Sequence, residues 1–369
     1  MNEQPTHKKT LRNCIIIIIV FFLGMLTMYG TFYYFPSTIG TVVTKLEKDV
    51  TVTDKGIADA VDKVYDSVVV VNTYVNGEQY ASGTGFVYKT ENNKAYILTN
   101  NHVISNSNDV YVTFTDGKII KTEVVGKDVY SDIAVLAVDE KDIISIAQLG
   151  KSKDLRLGDT VFAIGAPLDS AYSWSVTRGI VSGKDRLVEV ELSSGNTKTP
   201  MVVNTLQTDA AINNGNSGGP LANSNGEVIG ITSIKLASEA IEGMGFAIPI
   251  ENALEIAEEL ISGKEIERPY LGVYMLDVIN AYYSREYYNL IREANVTQGV
   301  VVTDIEEKSS AALAGVQKND IIIKVDDEDI SSSAYLRYYL FRHKVGDYMK
   351  LTVLRDNKEL DIKVKLVAN

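Results

Sequence analysis

Residues 209–221 contain the residue types best suited to chemistry, because one serine lies among small and flexible neighbours. Ser217 follows Gly215 and Asn216 and is itself followed by two glycines. Glycines permit tight turns that direct consecutive backbone N–H groups towards one point. The hydroxyl of Ser217 is therefore a candidate nucleophile for a carbonyl group, and the N–H groups of Gly215 and Ser217 are candidate donors to the resulting oxyanion. The alternative is a glycine-rich hairpin that contains an incidental serine.

A serine nucleophile needs a general base, and His102 is the only histidine between residues 8 and 342. It follows the run 95–99, so we expect it just beyond the end of a strand. Asp132 opens the apolar run 133–138, where a buried carboxylate needs a partner such as an imidazole. The alternatives are an isolated surface or core histidine and an aspartate that caps the start of a strand. Three other acids lie in polar turn contexts, and we expect them to be solvated: Asp109, Asp116 and Asp128.

The elements that must position these residues are short runs rich in Val, Ile, Thr and Tyr, separated by turn signals such as Asn76-Gly77. This pattern predicts an all-β domain of the barrel or sandwich type. The spacing of apolar residues predicts flanking helices over residues 56–67 and 251–262. Examples of the predicted strands are 68–75, 85–88, 95–99, 110–114, 133–138, 160–164 and 227–232.

A second, smaller domain is predicted after Arg268-Pro269, where short strands begin to mix with helical stretches. This mixture is typical of a small α+β domain. The predicted strands are 299–304, 320–325, 348–354 and 360–366, and the predicted helices are 309–314 and 331–343.

The N-terminal part of the chain is predicted to cross a membrane, because residues 13–44 contain no charged side chain. The apolar run 14–35 matches the roughly 20 residues that span a bilayer as a helix. Lys8, Lys9 and Arg12 precede it, which places the N-terminus in the cytoplasm and the body of the chain outside it. The alternative is a cleaved signal peptide, which also exports the body of the chain.

Composition excludes several classes of function. The net charge of -12 over 369 residues, with no basic stripe beyond the N-terminus, disfavours binding to nucleic acid. Cys14 is the only cysteine, so intrachain disulfides, cysteine nucleophiles and cysteine-based zinc sites are excluded. The three histidines are scattered, and we expect neither a metal ion nor an organic cofactor.

Five blocks in chain order resemble the signature blocks of the HtrA (Deg) family of serine proteases. They are Thr99-Asn-Asn-His-Val, Ser131-Asp-Ile-Ala-Val-Leu, Ser175-Val-Thr-Arg-Gly-Ile-Val-Ser, Gly215-Asn-Ser-Gly-Gly-Pro-Leu and Gly245-Phe-Ala-Ile-Pro. With the tail, the resemblance covers the chain from about residue 56 to its end. It implies an all-β chymotrypsin-like double β-barrel followed by a small α+β PDZ domain, in a serine endopeptidase.

The resemblance also implies a role for each candidate residue. Ser217 is the expected nucleophile, His102 the base and then the acid, and Asp132 the orienting carboxylate, with oxyanion donors from Gly215 and Ser217. Asn216 stands where digestive relatives carry an aspartate that pairs with a newly cut N-terminus, so no zymogen cleavage is expected.

Two further positions near the active site follow from the same resemblance. Ile212 is expected to line the first specificity pocket and to favour a small or medium aliphatic residue before the cut bond; the alternative is plain core packing. The loop 165–177 departs from the family in its length, in Ala166 where asparagine is common, and in the sole tryptophan, Trp174.

In the tail, four residues resemble the carboxylate-binding loop of a PDZ domain, which captures the C-terminus of a peptide added as a strand. These are Tyr270, Leu271, Gly272 and Val273. Leu336 and Leu340 either face the peptide groove or pack in the core. Asn319 takes a place usually held by glycine, a mild change because asparagine tolerates a left-handed turn. The tyrosine-rich stretch 277–296, absent from a minimal PDZ domain, is either an extra helix or a partner surface.

The predicted organisation is a cytoplasmic N-terminus at 1–13, a transmembrane helix at 14–35, a linker at 36–54, a trypsin-like serine protease domain at 55–266 and a PDZ domain at 267–369. The leading hypothesis is a membrane-anchored endopeptidase that hydrolyses unfolded or misfolded extracytoplasmic proteins. As in the family, we expect a homotrimer. The alternatives are a PDZ scaffold or chaperone with a catalytically silent protease fold, and a regulated protease that cuts one signalling substrate.

Overall fold

The computed structural model describes residues 6–34, 53–166, 173–194, 197–233, 243–264 and 266–368. Helix α1 spans Thr6–Tyr34, and Leu11–Gly30 within it is long and apolar enough to cross a membrane. The predicted span 14–35 therefore lies in a helix, apart from Phe35, which is outside the described residues. Most of the predicted linker also lies outside them, and helix α2, Thr53–Tyr65, begins slightly before the predicted residue 56.

Seven antiparallel strands form the first sheet: β1 Val68–Val75, β2 Glu78–Glu91, β3 Lys94–Asn100, β4 Asp109–Thr113, β5 Ile119–Lys121, β6 Glu123–Asp128 and β7 Ile133–Asp139. Their order is β5-β4-β1-β2-β3-β7-β6. The turn between β1 and β2 has positive φ at Asn76 (54°) and Gly77 (87°), as the Asn-Gly signal predicts. The sequence pattern missed β5 and β6, which are short and mostly exposed or half-buried.

Seven more strands form the second sheet: β8 Gln148–Leu149, β9 Thr160–Gly165, β10 Ser175–Ser194, β11 Thr197–Thr208, β12 Pro220–Asn223, β13 Glu227–Thr232 and β14 Gly245–Pro249. This sheet closes into a barrel because β12 pairs with both β9 and β13. The short helix α3, Asn101–Ile104, follows β3, and α4, Ile250–Ile261, follows β14. A buried cluster with Phe86 and Leu98 from the first sheet and Phe162 and Ile231 from the second joins the two.

The tail contains eight strands: β15 Pro269–Tyr270, β16 Val273–Asp277, β17 Val300–Ile305, β18 Ile321–Val325, β19 Glu328–Asp329, β20 Tyr348–Arg355, β21 Lys358–Lys365 and β22 Val367–Ala368. Its helices are α5 Val278–Ala281, α6 Tyr288–Ala294, α7 Ser310–Ala314 and α8 Ser333–Leu340. The main sheet runs β16-β17-β18-β20-β21, so β16 is an edge strand. The tyrosine-rich stretch thus contains two short helices, and Asn319 has a φ of 73°, in the left-handed region expected for it.

Candidate active site

Strand pairing brings His102 and Asp132 together although thirty residues separate them. Strands β3 and β7 are antiparallel, and Asn100 at the end of β3 pairs with Ile133 at the start of β7. His102 follows β3 in helix α3, and Asp132 immediately precedes β7. The backbone N–H of Asn101 donates to the carbonyl oxygen of Asp132 at 3.0 Å, which fixes the first residue of α3 against the residue that precedes β7.

The carboxylate of Asp132 holds the histidine by two hydrogen bonds. Its Oδ2 lies 2.7 Å from His102 Nδ1, and its Oδ1 accepts from the backbone N–H of His102 at 2.9 Å. Asp132 is only 6% exposed, and a buried carboxylate can only accept, so the proton sits on Nδ1 and Nε2 is left as the basic nitrogen. The expectation of a buried, partnered Asp132 is confirmed.

A further partner of Asp132 was not anticipated from the sequence. The hydroxyl of Ser233 donates to Asp132 Oδ2 at 3.3 Å, and Ser233 is completely buried. It directly follows β13, and 101 residues separate it from Asp132. Nothing in its local sequence signals the contact, because a serine after a buried strand is ordinary.

The loop around Ser217 is fastened to both sheets. The N–H of Thr84, in β2, donates to the carbonyl oxygen of Ser217 at 2.9 Å, and the N–H of Gly218 donates to Thr232 at 2.8 Å. The hydroxyl of Thr232 in turn donates to the carbonyl oxygen of Asn216 at 2.6 Å. Ser217 itself is 3% exposed. The serine loop therefore occupies a fixed position at the junction of the two sheets.

Gly218 shows how close this loop comes to the strand that carries the histidine. Its φ is 85°, and a Cβ atom there would lie 2.2 Å from Thr84 O and 2.3 Å from Thr99 Oγ1. Thr99 lies in β3, three positions before His102. The structure thus places the serine loop against the end of the strand that leads into the His102–Asp132 pair.

Gly215 and Asn216 form the turn that precedes the serine. Gly215 has a φ of 100°, and the N–H of Asn216 donates to Asn213 O at 3.0 Å, which closes the turn. The hydroxyl of Thr84 donates to Gly215 O at 2.7 Å and fixes the orientation of that peptide. Asn216 is 1% exposed and donates its side-chain N–H to Ala211 O at 3.2 Å.

Part of the loop 165–177 lies outside the described residues, 167–172, but both of its ends are anchored. The N–H of Ala166 donates to the hydroxyl of Thr84 at 3.0 Å, the same hydroxyl that binds Gly215. The indole N–H of Trp174 donates to Val68 O at 3.2 Å, at the start of β1. These contacts connect the loop with the serine turn and with the first sheet.

Ile212 is half-buried beside the core of the second sheet. A Cβ atom on Gly245 would come within 2.6 Å of Ile212 Cγ1, so the isoleucine packs directly over that glycine. This position agrees with the core alternative and leaves the expected role in substrate specificity as a proposal.

One expectation about the aspartates is wrong. Asp128 is 6% exposed and not solvated, because Arg268 comes to it from the start of the tail domain at 2.6 Å. The N–H and hydroxyl of Ser131 also donate to its Oδ2, at 2.8 and 2.6 Å. Asp116 is exposed, as expected, whereas Asp109 is half-buried and pairs with Lys121.

The four residues that resemble a PDZ carboxylate loop run from the last residue of β15 to the first residue of β16. Gly272 has a φ of 73°, and a Cβ atom there would lie 2.2 Å from Ser309 Cβ, so no other residue fits. The hydroxyl of Tyr270 donates to Glu306 Oε2 at 2.7 Å, and this hydrogen bond raises the pKa of Tyr270 to about 12. These contacts hold the loop against residues 306–309.

A cleft of about 1040 Å³ opens beside this loop. Leu336 and Leu340 line it from helix α8, yet they are 1% and 6% exposed and belong to the core of the tail domain. The core alternative is therefore confirmed, and contact of these leucines with a bound peptide stays a prediction. The lining also includes residues 125–130, which form the end of β6 and the two residues after it.

Two packed β-sheets, one of them closed into a barrel, meet at a half-buried histidine paired with a buried aspartate and at a glycine-rich serine turn, an arrangement typical of a trypsin-like serine peptidase. The edge strand β16 and the glycine loop before it are typical of a PDZ domain. Family comparisons agree: residues 83–231 match the trypsin-like peptidase domain and residues 269–366 match the PDZ domain. The chain belongs to the HtrA family of serine proteases.

The relatives that support this assignment cover most of the chain. It is 44% identical over 299 residues to the serine protease Do-like HtrA of Lactobacillus helveticus, covering 79% of this chain and 70% of that protein. It is 42% identical over 287 residues to the HtrA of Bacillus subtilis strain 168, covering 77% of this chain and 63% of that protein.

Solved structures of the same type share the fold. An HtrA-type protease, AlgW, solved with a decapeptide, has a TM-score of 0.64 and 27% identity, covering 85% of this chain and 98% of that chain. The serine endoprotease from Yersinia pestis has a TM-score of 0.62 and 28% identity with the same coverage.

Proposed function

We propose that the protein is a membrane-anchored serine endopeptidase that cleaves unfolded or misfolded extracytoplasmic proteins through Ser217, His102 and Asp132. The observation that carries the proposal is the 2.7 Å contact between Asp132 Oδ2 and His102 Nδ1. It lies at the end of the strand against which the serine loop packs.

In this mechanism His102 Nε2 accepts the proton of the Ser217 hydroxyl as its oxygen attacks the substrate carbonyl carbon. The N–H groups of Gly215 and Ser217 stabilise the negative oxygen of the tetrahedral intermediate. His102 then gives the proton to the leaving amine, and the C–N bond breaks to leave an acyl-enzyme. A water molecule, deprotonated by His102, attacks the ester and releases the acid and the serine hydroxyl. Asp132 stabilises the imidazolium at both stages.

Replacement of the nucleophile tests this mechanism. Ser217→Ala should abolish hydrolysis of unfolded casein and labelling by a fluorophosphonate, which reacts only with an activated serine. Ser262→Ala, at the exposed end of α4, is the matched control and should leave both unchanged. Casein turnover by Ser217→Ala would refute the mechanism. An unlabelled wild type would favour a scaffold or chaperone with a silent protease fold.

We further propose that α1 anchors the protein with its N-terminus in the cytoplasm, since Lys8, Lys9 and Arg12 precede the apolar span. A cleaved signal sequence would also contain such a helix. An N-terminal tag separates the two possibilities: the intact tagged chain should remain in the membrane fraction, whereas cleavage would release a shorter, untagged product.

The PDZ domain is proposed to bind C-terminal peptides of substrates or regulators at residues 270–273, with the peptide added to the edge strand β16. A peptide with a free carboxylate should bind, and its C-terminal amide should not. We also expect a homotrimer; a monomeric mass for the detergent-solubilised protein would contradict this expectation.

A further inference from the structure

Arg337 places a positive charge in the cleft beside the PDZ carboxylate loop, and the proposed function gives this charge no role. The residue belongs to α8, and it lines the cleft together with the loop 270–273 and with Met275 of β16. A C-terminal peptide held at that loop and added to β16 therefore lies in the same cleft as Arg337.

The guanidinium of Arg337 is only partly used by the protein. It is half-buried, and its Nη1 donates to the carbonyl oxygen of Pro200 at 3.1 Å. A guanidinium carries five N–H donors in a planar fork. Arg337 makes no other hydrogen bond to the residues that the structure describes. The remaining N–H groups are available to a ligand, and a carboxylate matches the fork with two parallel hydrogen bonds.

The charge on Arg337 is not neutralised at close range. Burial removes water from the guanidinium and lowers its pKa, and the attraction of Asp277 offsets this effect only in part. The Oδ1 atom of Asp277 accepts the N–H of Ser333 at 2.7 Å, and within the described ranges Arg337 forms no ion pair. A partly desolvated charge without a close partner is unfavourable, so a ligand carboxylate at this position would stabilise it.

Other side chains add to the positive charge of the cleft, although the whole chain has a net charge of -12. Arg268 and Asp128 neutralise each other at 2.6 Å. Lys127 and Lys264 are exposed and form no ion pair with any described residue. The ionisable residues that line the cleft are Lys127, Lys264, Arg268 and Arg337, against Asp128 and Glu267. Cations therefore outnumber carboxylates in the lining.

Helix α8 runs back along β16 towards the carboxylate loop. Its first residue, Ser333, contacts Asp277, the last residue of β16. Its last residue, Leu340, shares a buried core with Leu271 of the loop. The helix and the strand thus form the two sides of the groove, and positions along one can be compared with positions along the other.

This geometry gives the ligand residue that Arg337 meets. Four residues of helix advance about 6 Å, and two residues of strand advance about 6.6 Å. Arg337, four residues into α8, is therefore level with Met275, two residues before the end of β16. A peptide whose last residue is level with Val273, and which pairs antiparallel with β16, has about its third residue from the C-terminus at this level.

We propose that the cleft selects C-terminal peptides with an acidic side chain at about the third residue from the end, which Arg337 binds through its free N–H groups. Lys127 and Lys264 contribute a positive potential that favours acidic ligands. The inference rests on the proposed binding of C-terminal peptides by the PDZ domain, and it assigns a chemical class to those ligands.

Two fluorescent ten-residue peptides that differ only in Glu or Gln at the third residue from a free C-terminus test this inference. Anisotropy is measured with the detergent-solubilised full chain carrying Ser217→Ala, so that the peptides are not cut. The Glu peptide should bind about tenfold more tightly at low salt. This preference should shrink as salt is added, because the cleft is open to solvent and its charges are screened.

Arg337→Gln should reduce the preference to less than about twofold and leave the affinity for the Gln peptide unchanged, since glutamine retains a donor for Pro200 O. Arg342→Gln is the matched control: it removes the same charge from an exposed position outside the lining of the cleft and should keep the preference. Lys127→Gln with Lys264→Gln alters only exposed positions and should lower the preference by about threefold.

Equal affinities of the two peptides for the unaltered cleft would overturn the proposal, as would a preference that survives Arg337→Gln. Should circular dichroism show that Arg337→Gln is unfolded, the double lysine variant decides, and an unchanged preference there would overturn the proposal. Failure of the PDZ function itself looks different: neither peptide would bind, or amidation of the C-terminus would weaken neither.

Discussion

Asp132 is the residue on which the geometry of the site depends most. It has a φ of 56°, in the left-handed region that aspartate adopts more readily than most residues. From this position one carboxylate accepts hydrogen bonds from the His102 backbone, the His102 ring and the Ser233 hydroxyl. The contacts that fix the Asp132 carboxylate, including the one from Ser233, therefore also fix the orientation of the imidazole that it holds.

Ser233→Ala should lower kcat/KM by about tenfold, because one hydrogen bond to a buried carboxylate contributes about 1–2 kcal/mol to its position. KM should change little, since Ser233 is completely buried. Steady-state kinetics on a peptide substrate measures both constants. Ser107→Ala, which removes a hydroxyl that donates to Ile104 O, is the control with no expected effect. An unchanged kcat/KM in Ser233→Ala would contradict the role assigned to this hydroxyl.

Asn216→Asp should lower kcat/KM by at least about a hundredfold at neutral pH. In the wild type the side-chain N–H of Asn216 donates to the Ala211 carbonyl oxygen at 3.2 Å, and the substitution would place a buried carboxylate against that oxygen. The change should distort the turn that leads to Ser217. Asn214→Asp makes the same charge change at an exposed position two residues away and should retain activity. Fluorophosphonate labelling rates provide a second measure, and wild-type rates in Asn216→Asp would refute the argument.

At the scale of elements, the site depends on where strands end. The antiparallel pair β3–β7 sets His102 against Asp132, and β2 and β13 hold the serine loop from either side. The loop fits only because Gly218 has no side chain.

Gly218→Ala should destabilise the protein by about 3 kcal/mol or more and abolish activity, since its Cβ would overlap Thr84 O and Thr99 Oγ1. Gly117→Ala is the matched control: its φ is 84°, almost the same, but nothing lies within 4 Å of the added atom. It should cost only about 1 kcal/mol of backbone strain. Urea unfolding measures both, and equal losses would show that strain, not close packing, requires glycine at 218.

At the scale of the whole molecule, the protease and PDZ domains share a polar and aromatic contact. Arg268 pairs with Asp128 at 2.6 Å, and its guanidinium lies 4.6 Å from the centroid of the Tyr130 ring. The Tyr130 and Phe341 rings meet at 5.4 Å, and Arg337 donates to Pro200 O at 3.1 Å. Burial lowers the pKa of Arg337, because the charged guanidinium loses water at this contact.

A double-mutant cycle between Asp128→Asn and Arg268→Ala should give a coupling free energy of about 1–3 kcal/mol. The physical reason is burial: the side chains are 7% and 20% exposed, so water screens their attraction weakly. Urea unfolding of the four proteins measures the cycle. The exposed pair Lys141–Asp139 serves as a comparison and should couple by less than about 1 kcal/mol. Additive effects at Asp128 and Arg268 would contradict the contact.

The sequence alone determined the class of the protein, half of its strands and the His102–Asp132 pair. It could do so because local properties carry these features: alternating apolar residues, turn residues, and an acid placed at the start of a buried strand. Only the tertiary structure decided the surroundings of Asp128, the contact of Ser233 and the surface of α5–α6. Asp128 meets Arg268, 140 residues away along the chain, and Asp132 meets Ser233, 101 residues away. The surface of α5–α6 arises because one side of each short helix is buried. Contacts between distant segments leave no local pattern, because each segment satisfies its own backbone preferences whichever partner it meets.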